Sequence, residues 1–306
     1  MVESYVLPLL SASKRCCSLS AARKVALEFM PNFSFSRLVI IESLPDGEFH
    51  TGTALADILT PIVADRDNRL SVHLEQVSSA DAFRATLAAT LRRTLDGGEL
   101  PLLHIECHGN DDGLCFADYS TMDWRELYPL LREINVATRM RLLVCIAACF
   151  GAYLGQRLDL TERAAFVALL SPSTGVFPDN LFRAYSTFYR EMLMTLDGDH
   201  ALAQMGNANP GSPPLAFVDA TYFFKLGYRR YLQKQCTPNA LLNRAVAIQD
   251  RQRLQGLPIA NVNEILRHLS DSEPAFFETF RDTYFMTDLF PENSARFPVM
   301  RSDVIS

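Results

Sequence analysis

No stretch of this 306-residue chain approaches the ~20 consecutive apolar residues that span a bilayer, so a membrane helix is not expected. Basic charge is not in excess either. Lys and Arg total 29 against 35 Asp and Glu, a formal net charge of −6, which leaves no footprint for a phosphate backbone and argues against nucleic acid as a partner. The chain has no GxSxG elbow, P-loop, HExxH or GxGxxG, so the common serine-hydrolase, nucleotide and zinc-hydrolase chemistries have no local support. No CxxC pair is present, and neither a metal nor another cofactor is expected. The seven cysteines are odd in number and lack framework spacing, which reads as free thiols in a reducing, cytoplasmic compartment. The start, MVESYVLPLL, carries an acidic residue and Pro8 where an export signal needs basic and then apolar residues. No repeat or low-complexity tract interrupts the chain.

What is present is an alternation of apolar strands and amphipathic helices. Strands are expected at 38–44, 70–77, 101–107, 141–147 and 164–170, with helices between them at 54–63, 80–95 and 122–135. Asp123 is placed to cap the last of these, with Glu126 as its capping-box partner. The segment 113–120 reads as a small hairpin. The strands at 101–107, 141–147 and 164–170 are nearly continuous apolar runs, as parallel strands covered on both faces require. The expected fold class is therefore α/β, a mainly parallel sheet with helices on both faces. Residues 178–194 follow as a helix whose Leu181, Tyr185, Phe188 and Met192 share an apolar face. The segment NANPGSPP at 207–214 is the clearest break. Three regions result: an N-terminal arm or helix at 1–36 with amphipathic spacing at 18–30, the sheet domain at 37–206, and a mostly helical extension at 207–306.

Two short segments carry the chemistry. LLHIECHG ends in His108-Gly109, and RLLVCIAACFG ends in Ala148-Cys149-Phe150-Gly151. Each is an apolar strand that delivers one reactive side chain at its C-terminal end, the edge of an open α/β sheet where sites are built. A thiol needs a nearby base or cation to become an attacking thiolate at neutral pH. Cys149 as nucleophile and His108 as general acid/base therefore point to acyl transfer. The backbone N–H groups of Gly109 and Cys149 are candidates for the oxyanion hole, with the glycines at 109 and 151 admitting a substrate carbonyl. Cys107 and Cys145 lie inside the strands and are expected to be buried and inert. His104 reads as a satisfied strand histidine, and Asn110–Gly113 as a solvated turn.

The His-Gly after one strand and the Ala-Cys-x-Gly after the next resemble the caspase-like cysteine peptidases of clan CD. The intervening GLCFADYSTMDWRELYPLLREIN, with its strand pair, Trp124 and helix ending in Ile-Asn, is similar to their bacterial CHAT-type branch. The resemblance covers roughly residues 37–206. It implies a caspase-like fold, a thiol endopeptidase acting in regulated limited proteolysis, and a protein substrate. Some members of that branch are encoded in antiviral defence systems, where they cut a gasdermin-like pore former. His108 matches the family's catalytic histidine and Cys149 its nucleophile. Where charge-selecting relatives carry Gln or Asp two residues before the cysteine, this chain has Ala147, so no charged P1 preference carries over. Ser171, Ser173, Asp111 and Asp112 are the other candidate pocket residues. A caspase-like scaffold or binding module with a silent or gated site is the rival reading, and the presence of both His108 and Cys149 argues against it.

Overall fold

The computed structural model describes residues 35–65, 70–208 and 215–305. The expected helix at 18–30, Cys16, Cys17 and most of the 207–214 break lie outside them. Packing divides the chain into a sheet unit, reaching Leu158 and resuming over Ala164–Ala220, and a helical unit made of Asp159–Arg163 and the chain from Thr221 onward.

The sheet unit follows the alternation read from the sequence. Strand β1 (Arg37–Ser43) leads to helix α1 (Thr51–Ala64), β2 (Ser71–Gln76) to α2 (Ala80–Gly97), and β3 (Pro101–Gly109) to the hairpin β4 (Gly113–Cys115) and β5 (Thr121–Asp123). Then come α3 (Trp124–Ala137), β6 (Leu143–Ala147), a 3-10 helix (Gly151–Arg157), β7 (Ala168–Ser171), α4 (Pro178–Thr195), α5 (Gly198–Ala208) and β8 (Ala216–Asp219). The strand order is β2-β1-β3-β6-β7-β8. All neighbours on this path are parallel except β7 and β8. The unit is therefore α/β with a mainly parallel sheet.

Alternation along each strand divides the core. Leu38, Ile40, Leu102, Leu143, Cys145 and Ala147 pack in one cluster with Leu55 and Leu59 of α1 and with Tyr185, Phe188 and Tyr189 of α4. The intervening Val39, Ile41, Leu103, Ile105, Val144 and Ile146 are equally buried, and α2 and α3 bury apolar residues of their own, among them Phe83, Leu87, Leu127 and Leu131.

Three local expectations need correction. The strand expected at 164–170 begins only at Ala168; Ala164 and Ala165 are buried but unpaired in the sheet, Ala164 giving its carbonyl to the Asn135 amide at 2.8 Å. Residues 216–219 were expected to be helical, yet they pair antiparallel with β7, their β-branched and aromatic Phe217-Val218 facing Leu170 and Leu169. Asp123 caps α3 through the amides of Arg125 and Glu126, but the Glu126 carboxylate goes to Arg84 at 2.9 Å.

The helical unit holds α6 (Ala220–Gln235), α7 (Pro238–Leu254), α8 (Val262–Asp271), α9 (Glu273–Tyr284), α10 (Asn293–Arg296) and α11 (Ser302–Ile305). Its core is aromatic: Phe224 meets Tyr228, Phe277, Tyr284 and Phe285 with ring centroids 5.2–6.0 Å apart. The Tyr228 hydroxyl donates to the buried Glu273 carboxylate at 2.5 Å, and Arg301 holds that carboxylate's other oxygen. No helix of the described chain is long and apolar enough to cross a membrane.

Candidate active site

The register of β3 on β6 brings the two reactive ends together. Leu102 pairs with Leu143 and Glu106 with Ala147, the same 41-residue offset that separates His108 from Cys149. The ladder stops at the Glu106–Ala147 pair; His108 lies two residues past it on β3, and Cys149 two residues past it in the turn after β6. The ends stay in contact after the ladder stops, because a Cβ on Gly109 would lie 2.6 Å from the Cys149 carbonyl oxygen and 3.0 Å from the Ala148 Cβ. Gly151 is similarly forced: its Cβ would lie 2.7 Å from Ile146 Cγ2. These glycines let chain pack on chain.

His108 is held from both sides. The turn after it is built by Asn110, whose Oδ1 accepts from the amides of Asp112 and Gly113, and Trp124 donates its indole N–H to the Asp111 carbonyl at 3.1 Å. Across the hairpin His108 pairs with Cys115. Its imidazole, 53% exposed, has Nε2 at 3.0 and 3.1 Å from the two oxygens of Glu48. Sequence reading missed Glu48. The available signal was an acidic residue closing the Pro45-Asp46-Gly47-Glu48 turn after the first strand, at the same sheet edge.

Cys149 sits half-buried on a tightly wound segment. The next residue, Phe150, takes φ +61°, and the amides of Phe150, Gly151, Ala152 and Tyr153 donate to Thr174, Ala148, Pro172 and Phe150 carbonyls. Among the described residues the Cys149 amide makes no such backbone bond. The sulfur receives the Val176 N–H at 3.5 Å and lies 3.8 Å from the Val176 carbonyl. The loop after β7 is thus the wall beside the thiol. Two aromatic side chains rim this region: Phe177, next to Val176, is 79% exposed, and Phe49, next to Glu48, is 51% exposed and edge-on to Phe182. Phe177 occupies the N-cap position of α4 without capping it.

The other candidates fall out differently. Ser171 is fully buried, its hydroxyl without a partner and its Cβ 3.2 Å from where a Gly151 Cβ would be, so it offers no open surface; Ser173 is exposed. Asp111 and Asp112 are exposed at the hairpin turn. Ala147 belongs to the buried cluster, beside Glu106 in register. Cys107 and Cys145 are buried, and burial pushes both thiols up, Cys145 to about 12. His104 is fully buried, with Nε2 3.0 Å from Glu106 and Nδ1 3.1 Å from the Tyr189 hydroxyl. Among the described residues no group of three or more His, Cys, Asp or Glu side chains could hold a metal ion.

No family model matches this chain, and no curated protein matches it in sequence. Among solved structures it is similar to the Arg-specific cysteine proteinase gingipain R, with a TM-score of 0.38 and 11% identity over 66% of this chain and 54% of that one. The complex of the Porphyromonas gingivalis RgpB pro- and mature domains gives a TM-score of 0.36 and 11% identity over 60% and 47%. The chain spans about half the length of these structures.

Proposed function

We propose that the protein is a caspase-like cysteine endopeptidase, with Cys149 as nucleophile and His108 as the group that moves its proton. The observation that supports this reading is that His108 and Cys149 each follow the last paired position of adjacent parallel strands, whose ends touch at Gly109 and the Cys149 carbonyl. With Nε2 of His108 occupied by Glu48, Nδ1 is the nitrogen left to accept the thiol proton and return it to the leaving amine. The sulfur attacks the scissile carbonyl, the tetrahedral oxyanion takes the free Cys149 amide and that of Gly109, and water releases the acyl group in a second round. Glu48 fixes the tautomer and ring plane, as the carboxylate of a triad does.

The pocket is proposed to take an uncharged P1 residue. Ala147 offers no charge, Glu48 is engaged by His108, and the two buried carboxylates Glu106 and Glu42 already accept bonds from protein donors: Glu106 from Thr51 and His104, Glu42 from Thr53, His50 and Gln76. The rim phenylalanines favour apolar side chains beside it. A cytoplasmic location and a gasdermin-like substrate belong to this proposal through the family resemblance alone. Turnover of a peptide library, with Cys149→Ala and His108→Ala each silent and still folded, is the result expected. Unchanged turnover in Cys149→Ala would reassign the nucleophile.

A further inference from the structure

We propose that Glu42 is a positioning residue for this site: from β1 it ties down the far end of the loop 44–50 and so sets Glu48 against His108. The inference rests on the dyad reading above.

The pair it serves is weakly held in itself. Glu48 and His108 side chains are 44% and 53% exposed, and an ion pair so open to water does little to fix its own geometry. Its alignment must come from what carries it. The loop leaves β1 after Ser43, reverses at Gly47 (φ +89°) with the Glu48 amide on the Pro45 carbonyl at 3.3 Å, and enters α1 at Thr51.

Glu42 lies one residue before that departure, with its side chain buried. It takes the Thr53 amide at 3.0 Å, the Thr53 hydroxyl at 2.7 Å and the His50 ring at 2.9 Å. Gln76 of β2 adds a fourth contact at 3.2 Å. Three of the four contacts come from the far end of the loop. They also explain how α1 starts: His50, at its N-cap position, makes no cap bond, and a carboxylate from the sheet caps the helix instead. The positive end of the helix dipole favours that carboxylate. Glu106, the register partner of Glu42, receives the Thr51 hydroxyl in the same way. Gly52 sits between the two acids, where a Cβ would lie 3.0 Å from Glu42 Oε1 and 3.2 Å from Glu106 Oε2. Two buried carboxylates on adjacent strands are an expensive way to start a helix. Local departures of this kind cluster where a site needs them.

The test is a double-mutant cycle on the full chain, reading hydrolysis of a library-derived peptide and amide exchange over 44–50. Glu42→Gln keeps the shape but turns an acceptor into a donor facing Thr53 and His50. It should lower kcat about tenfold with KM within about twofold. Exchange over 44–50 should accelerate. In a Glu48→Gln background the same change should move kcat by less than about twofold, since the residue acts through Glu48. Additive losses, or unaltered exchange, would overturn the proposal. Should Glu42→Gln fail to fold, His50→Asn, which alters only the loop-side contact, carries the same cycle. The exchange arm needs no turnover: if Cys149→Ala retains activity the dyad reading fails, while exchange still reports whether Glu42 holds the loop.

Discussion

Three thiols lie on strands β3 and β6 or just beyond them, and they differ in exposure. Cys107 and Cys145 are closed in apolar surroundings that raise their pKa values, whereas Cys149 is half-exposed beside the loop after β7. Alkylation with iodoacetamide at pH 7.5, read by peptide mass spectrometry, should therefore modify Cys149 and spare the other two in the folded protein. Glu48→Gln removes one charge-assisted hydrogen bond from an exposed pair, and a loss of about tenfold in kcat/KM is expected, the low end of what such a bond contributes. Glu42 makes a pH prediction. Burial works against its ionised form, but the bonds from Thr53, His50 and Gln76 win, and its pKa falls below the ordinary 4.5. With the folded value depressed, its contribution to stability is full above 4.5 and is lost as pH falls through the folded value. Melting temperature against pH should drop more steeply below that point in the wild type than in Glu42→Gln.

At the level of elements, the glycines at the strand ends let the chain pack closely. Gly109→Ala and Gly151→Ala push a methyl against the Cys149 carbonyl and Ile146, and each should cost about 1–3 kcal/mol in denaturant midpoint measurements. Phe150 holds a left-handed backbone that a β-carbon disfavours, so Phe150→Gly should gain up to about 1 kcal/mol of stability while loosening the thiol's seat. Much of this was legible in the sequence because apolar runs and strand ends are local signals. The β3 and β6 runs, the hairpin, the Asp123 cap and the apolar face of α4 all follow from patterning within a few residues. What was not legible depends on partners far along the chain. Residues 216–219 become a strand because β7 offers a free edge, and Glu126 leaves its capping role because Arg84 lies nearby. Glu48 reaches His108 across 60 residues, and only the fold brings them together.

For the whole molecule, the proposed peptidase would need no cut in its chain. Between Cys149 and β7 the sheet unit's chain is a 3-10 helix with Leu154 buried, followed after the short Asp159–Arg163 segment by the buried Ala164 and Ala165. A buried, hydrogen-bonded stretch is a poor processing site, so the uncut chain should be as active as any nicked form, as gel analysis alongside turnover would show. The central claim is that Cys149 attacks with the help of His108. Its most direct test is covalent capture by a peptidyl acyloxymethyl ketone with an uncharged P1 residue, mapped by mass spectrometry in the wild type and in His108→Ala. The account predicts a single adduct on Cys149 that forms at least about a hundredfold more slowly without the histidine. An adduct on Cys115, or equal labelling of Cys149 in both proteins, would contradict it.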